Sequence, residues 1–393
     1  MKLLDLKNKS REEVTAALDV QGRDALVERF VSLGLPHKKT EEYHYFDVEK
    51  LLEVDYKTLT YTPRTLTESD KIEIVDGVVV AGPRNMRIYS DTCKMIDMEH
   101  FDPLYYLGHL LCPNTIKIEI DGDTEVEIEH RFTQSDTLIN YRIVLYNQAN
   151  RHASVYENFV AEDIENTLVL YGYDMHLAQD STLRVVKLQT MEDKRYSMIA
   201  SHRVNVTKNA HAILKSFDLG GDHALQLLKV ELAEYGHVDA GHLLYLNEDS
   251  KRGTVSQIVH RGEHSTSKQI AKNILDGEAR GIFDALIRVE HSGKYTKAEQ
   301  NSKSILLHKK AYMVSKPQLE IYIDDLEASH GSTTGQLDEK QLFYLQSRGI
   351  SYVEARKILV VAFANTLIEE VKDTRQQERI KNAFEEVFYK AHQ

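Results

Sequence analysis

Between residues 114 and 327 short apolar runs alternate with polar corners, and helical spacing of apolar residues is nearly absent. TIKIEI, EVEIEH, LRVVKLQ, AILKSFDL, HLLYL, TVSQIV, FDALIRV, SILLHKKAYMV and LEIYID read as strands with partial alternation. Polar corners recur between them: QANRHAS from Gln148, AQDSTL from Ala178, TKNAHA from Thr207, AEYGHV from Ala233, HRGEHS from His260, DGEARG from Asp276, EQNSKS from Glu299 and LEASHG from Leu326. Most intervals are roughly 23 to 30 residues, the period of solenoid units that bury their apolar faces on one another. A sandwich would turn about every 8 to 12 residues. Tight turns are scarce here, Asp121-Gly122 and Asp276-Gly277 being exceptions. The pattern favours a parallel β-helix over a sandwich.

The two ends read differently. Residues 10–32 carry an apolar stripe at helical spacing (Val14, Leu18, Leu26, Phe30, Val31), and Ser10 with Glu13 has capping-box spacing. Gly34 and Pro36 stop that helix, and the Tyr43, Tyr45, Phe46 cluster packs the next segment onto something larger. Residues 75–82, VDGVVVAG, read as a short hairpin within a mixed stretch. At the other end, residues 337–346 predict a short helix closed by Arg348-Gly349. Ser351 and Glu354 open a longer one to about residue 371, and a last amphipathic helix spans about 375–389. The middle of the long helix, ILVVAFA, is apolar all round and needs cover from its own chain or a partner. The expected fold is mainly β: a β-helix core over 106–334, between an N-terminal helical and mixed region over 1–105 and a C-terminal helical domain over 335–393.

Composition narrows the function. The chain has 393 residues, 42% hydrophobic, and a net charge of −12 with no basic stripe, so nucleic-acid binding lacks its electrostatic driver and an anionic membrane surface is disfavoured. The longest apolar run, 358–364, falls far short of the roughly 18 residues of a membrane span, and the N-terminus has no signal-peptide core, so a cytoplasmic location is expected. Two cysteines, Cys93 and Cys112, form no CxxC pair and read as ordinary semi-buried thiols.

No P-loop, GxGxxG, HExxH or GxSxG motif is present, so any ATP chemistry would come from another subunit. His330 stands among small residues in EASHGSTTG, where Gly331 and Gly335 permit a sharp exit; it is either offered to a metal or another subunit, or is a corner histidine bonded to backbone. Asp324-Asp325 reads as a turn cap before an acidic site. His202, His211, His223, His237, His242, His260 and His264 are irregularly spaced and read as solvated or corner histidines.

Residues 316–351, KPQLEIYIDDLEASHGSTTGQLDEKQLFYLQSRGIS, resemble the C-terminal signature of the SufB/SufD family of iron–sulfur cluster assembly proteins. Residues 276–307 resemble the rungs before it, and residues 34–48 the N-terminal segment of SufD-type members, with Tyr43 where they usually carry tryptophan. The resemblance implies a right-handed parallel β-helix and assembly with a SufB-like subunit and a SufC-like ABC ATPase. His330 matches the histidine thought to share a transient iron–sulfur cluster with the partner. Many members have cysteine two residues earlier, where this chain has Ala328; with the chain's length this favours a SufD-like scaffold, no enzyme by itself. Such a cluster usually takes four ligands, mostly thiolates, so none would be held by this chain alone. Gln318, Glu320, Tyr322 and Asp324 lie on the strand expected to offer its edge to the partner. Phe343, Tyr344 and Arg348 are candidates for ATPase docking, with core packing the alternative for the two aromatics. The rival functions are a homodimer without a cluster role and a polysaccharide-processing β-helix enzyme.

Overall fold

The computed structural model describes the chain except for residues 39, 41–42, 45, 60, 62–64, 93–95, 97–98, 100, 113, 192–194, 221–222 and 393. Cys93 and Tyr45 therefore lie outside the described residues.

The expected single helix over 10–32 is two helices, α1 (Arg11–Leu18) and α2 (Asp24–Leu33). Asp19 turns left-handed at φ 52° and Gly22 at φ 76°, which breaks the helical ladder between two halves of one apolar stripe. The Ser10–Glu13 capping box is present in both directions. A short helix α3 (Val48–Glu53) and two-residue strands β1 (Lys57–Thr58) and β2 (Thr67–Glu68) follow. The expected hairpin pairs β3 (Ile72–Val75) antiparallel with β4 (Val78–Gly82). Its two-residue turn is Asp76-Gly77, both at positive φ, as such loops require. Then come β5 (Arg87–Asp91) and α4 (Pro103–Leu111), the latter capped by the Asp102 side chain with Pro103 at its first position.

The core is a β-solenoid. Its strands are β6 (Thr115–Ile120), β7 (Thr124–Phe132), β8 (Thr137–Asn147), β9 (His152–Ala161), β10 (Thr167–Leu177), β11 (Thr182–Met191), β12 (Tyr196–Val206) and β13 (His211–Gly220). They continue as β14 (His223–Leu232), β15 (His237–Leu246), β16 (Lys251–His260), β17 (Thr266–Leu275), β18 (Arg280–Val289), β19 (Thr296–Leu306), β20 (Tyr312–Ile321) and β21 (Leu326–Gly335). Even-numbered strands stack into one parallel sheet, A, and odd-numbered ones into another, B. Each rung sits in register on the last: Thr182 on His211, His211 on His237, His237 on Thr266. At one corner Asn150, Asp180, Asn209, Tyr235, His264 and Tyr295 all adopt positive φ, and each donates its N–H to a carbonyl of the next rung. Asn and Asp tolerate that conformation; the later aromatic members stack, His264 lying 4.9 Å from both Tyr235 and Tyr295.

Three apolar layers result. Between the sheets Ile139, Tyr171, Val204, Val230 and Ile287 meet Val155, Leu183 and Val238. The outer face of sheet A (Leu138, Leu170, Ile199, Leu227) is covered by α2 and α4 through Phe30 and Tyr106, and by the segment between α2 and α3 through Tyr43 and Phe46. The outer face of sheet B (Val186, Phe217, Leu243, Tyr245) is covered by α6 (Tyr352–Ile368) and α7 (Thr374–Lys390), through Val360, Ala364, Phe384 and Phe388. Strands covered on both faces lose their alternation, as β8 does, whereas β19, whose outer face meets solvent, alternates buried and exposed along most of its length.

Two expected corners are strands. EQNSKS lies inside β19 and LEASHG opens β21, while SILLHKKAYMV, read as one strand, bends at residues 307–311 between β19 and β20. Three of the histidines expected in solvent or at corners are buried inside the core: His202, His242 and His260. They sit at inward positions of their strands, and burial pushes their imidazoles down to about 3, about 4 and about 3. His260 bonds Ser265 and Ser267, each at 2.8 Å.

Candidate functional site

The last rung leaves the solenoid open. β20 pairs only with β18, and β21 only with β19, so each keeps an unpaired edge among the described strands. His330 lies mid-strand on β21, opposite Gln300, which in turn lies opposite Gln269. Gln269 and Gln300 are buried between the sheets, and their side chains bond each other at 3.0 Å. His330 is the next position of that inward column, exposed because no rung covers it.

The position of His330 is therefore not a turn, but a strand paired on one side, by β19. Its Nδ1 lies 3.0 Å from the Pro317 carbonyl oxygen of β20. A carbonyl only accepts, so Nδ1 carries a proton, which leaves Nε2 as the ring atom able to act as a donor ligand. In metal-ligating histidines a hydrogen bond from the other ring nitrogen to a carbonyl fixes tautomer and ring orientation. Ala328 faces inward two residues earlier and packs on the core. Among the described residues no group of three or more His, Cys, Asp or Glu could hold a metal ion. Cys112 is buried. His330 is thus a single candidate donor, fewer than the four ligands that an iron–sulfur cluster usually takes.

Gln318 and Glu320 lie on the outer face of β20, the side opposite His330. Gln318 Nε2 donates to Asp284 at 2.8 Å, and Glu320 is 3.6 Å from Arg288. Tyr322, just past the strand, takes the same Arg288 guanidinium over its ring at 5.3 Å. Asp324 is exposed in the corner, where its carbonyl accepts from Leu326 N. The structure gathers Gln318, Glu320 and Tyr322 on one face and places His330 on the other.

Phe343, Tyr344 and Arg348 belong to a separate element, α5 (Glu339–Ser347) and its C-cap, which precedes α6. Phe343 is 74% and Tyr344 56% exposed, which removes core packing within this chain as their explanation. Arg348 lies over the Tyr344 ring at 5.5 Å. Tyr352 and Val353 at the start of α6 extend the apolar surface. The far end of α6 is tied to sheet B: Glu370 bonds Lys215 and lies 3.4 Å from Lys268, and Lys272 donates to the Phe363 carbonyl at 2.7 Å.

One cluster has no counterpart in the reading of motifs. Between the sheets Asp218 accepts from Lys187 at 2.9 Å and lies 3.1 Å from Arg252 and 3.7 Å from His242. Burial alone would raise the Asp218 carboxyl, but the Lys187, Arg252 and His242 charges outweigh it and hold it at about 2. The signal was parity: Lys187 shares its strand face with inward Leu183 and Val185.

Comparison with known proteins agrees with the geometry. Residues 130–363 match the family profile described as SUF system FeS cluster assembly, SufBD core domain, and residues 2–72 match the SufBD protein N-terminal region. The Escherichia coli iron-sulfur cluster assembly protein SufD is 28% identical over 242 residues, 61% of this chain and 57% of that protein. The Plasmodium falciparum SufD is 26% identical over 263 residues, 65% of this chain and 18% of its own length. The Bacillus subtilis SufD is 33% identical over 116 residues, 30% of this chain and 26% of that protein. The chain thus spans less than two thirds of each of these relatives.

Proposed function

Since the chain belongs to the SufBD family of SUF-system iron–sulfur cluster assembly proteins, we propose that it is a SufD-like, non-catalytic scaffold subunit that pairs with a SufB-like subunit. The open edges of β20 and β21 are the pairing surface, with Gln318, Glu320, Tyr322 and Asp324 beside it. A SufC-like ATPase docks on α5 through Phe343, Tyr344 and Arg348. The division at 1–105, 106–334 and 335–393 then separates an N-terminal cover, a cluster-facing core and an ATPase-facing helical domain. The complex acts in the cytoplasm, and the isolated chain uses the same edge to form a homodimer.

The observation that carries this reading is His330: the last inward position of the solenoid, its Nδ1 committed to Pro317 and its Nε2 without a bond among the described residues. A neutral imidazole so held supplies one ligand to a cluster carried as cargo and shared with the partner. The ties of α6 to Lys215 and Lys272 support a mechanical link, in which ATP-driven dimerisation of the ATPase shifts the helices on sheet B.

The test is co-expression with SufB-like and SufC-like partners, anaerobic reconstitution and absorption spectroscopy. His330→Ala is expected to leave assembly intact and remove the cluster absorption; an undiminished cluster would refute the ligand role and favour a structural dimer. Removal of residues 337–393 is expected to release the ATPase, and retained ATPase binding would refute docking on α5.

A further inference from the structure

Where α3 lies over the N-terminal ends of the sheet A strands, it leaves a groove of about 900 Å³. Leu51, Val54 and Tyr56 form one wall, and Thr167, Tyr196 and Ser197 contribute to the other. Five fixed cations line it (Lys50, Arg195, Lys251, Arg280 and Lys310) against two carboxylates, Asp249 and Glu278. This runs against the composition of a chain with 61 acidic and 49 basic residues.

Some of that charge is accounted for. Lys310 pairs with Glu278, and Lys50 reaches Asp47 at 3.8 Å. Lys251 and Arg280 have no ion-pair or hydrogen-bond partner for their side chains among the described residues. They stand directly opposite each other in register on β16 and β18. Neighbouring strands run about 4.8 Å apart, and like charges placed opposite one another destabilise the pairing. His223 occupies the next position of the same row, on β14. A fold that keeps two unpaired cations in register at a concave site leaves their repulsion to be offset by an anion.

We propose that this groove binds an organic phosphate, with Lys251 and Arg280 holding the phosphate oxygens and the Leu51–Val54–Tyr56 wall receiving the apolar part. The guanidinium fork matches two phosphate oxygens and the ammonium adds a point charge one strand away. The volume lies within the range of small-molecule sites. None of the residues lining the groove is among those proposed above for the cluster or the partners.

The experiment is calorimetric titration of the full chain with phenyl phosphate and, separately, inorganic phosphate. Phenyl phosphate is expected to bind saturably, more tightly than inorganic phosphate and more weakly as salt rises. Lys251→Gln and Arg280→Gln are each expected to weaken it about tenfold or more. Each variant removes a repulsion, so its melting temperature without ligand should hold or rise, which separates lost binding from lost fold. Three results would overturn the proposal: no saturable binding up to about 10 mM, binding untouched by both substitutions, or inorganic phosphate binding as tightly as phenyl phosphate.

Discussion

Replacing Asp218 tests the reasoning about the polar core most directly. Its carboxylate is the charge that Lys187 and Arg252 share between the sheets, and all three side chains are buried. Asp218→Asn keeps the shape and removes the charge. The carboxyl stands at about 2 in the folded chain against 3.8 ordinarily, a difference worth about 2 kcal/mol at neutral pH. Asp218→Ala removes the hydrogen-bond acceptor as well and leaves two buried cations facing each other, which costs about 3 to 5 kcal/mol. The sign with pH follows. The folded value is depressed, so the contribution is fully present above about 3.8 and is lost as pH falls through about 2. Urea unfolding, followed by near- and far-ultraviolet circular dichroism to check that the transitions coincide, measures both variants at pH 7. Replacing Lys187, Asp218 and Arg252 together with apolar residues of similar volume should recover most of the loss. An Asp218→Asn variant within 0.5 kcal/mol of the parent would refute the argument.

Two further outcomes follow from the same structure. Burial depresses His109, His202, His242 and His260 to between about 3 and about 4, so below pH 6.5 the unfolded chain takes up protons the folded one refuses; stability should fall by about 2 kcal/mol per histidine between pH 6.5 and 5, and a flat profile across that window in urea titrations would contradict their burial. Gly172→Ala would place a Cβ 1.8 Å from the Ser201 carbonyl oxygen of the adjoining strand, so it should destabilise by about 4 kcal/mol or more, visible as a melting shift or insoluble expression.

Much of the architecture was legible where one face of an element meets water. The Ser10–Glu13 cap, the 75–82 hairpin and alternating strands such as β19 follow from local chemistry and period. What local pattern could not carry was context. LEASHG is rich in the small residues of loops, and it becomes a strand because β19 offers it a complete ladder. Residues 10–32 keep one stripe through a break that only backbone angles at Asp19 and Gly22 reveal. His330 stood out as a candidate through family resemblance, yet its inward direction came from register with Gln300 and Gln269. His202 could have been assigned to the interior from its parity with Met198, Ala200 and Val204.

The single-neighbour pairing of β20 and β21 has a thermodynamic consequence. In a stacked array each unit draws its stability from its own folding and from the units it touches. Inner rungs touch two others, and those from β11 to β17 are also bridged by α6 and α7. Among the described residues the final rung pairs with one neighbour and lies beyond the strands that α6 and α7 bridge, so it should open at a smaller free-energy cost than the inner rungs. His330 is held in place by Pro317 of that same rung. A partner that capped the solenoid would therefore contribute twice, once through its own contacts and once by suppressing the opening of the rung that positions the imidazole. If the proposed role of His330 holds, cluster loading and capping would be linked equilibria, each favouring the other.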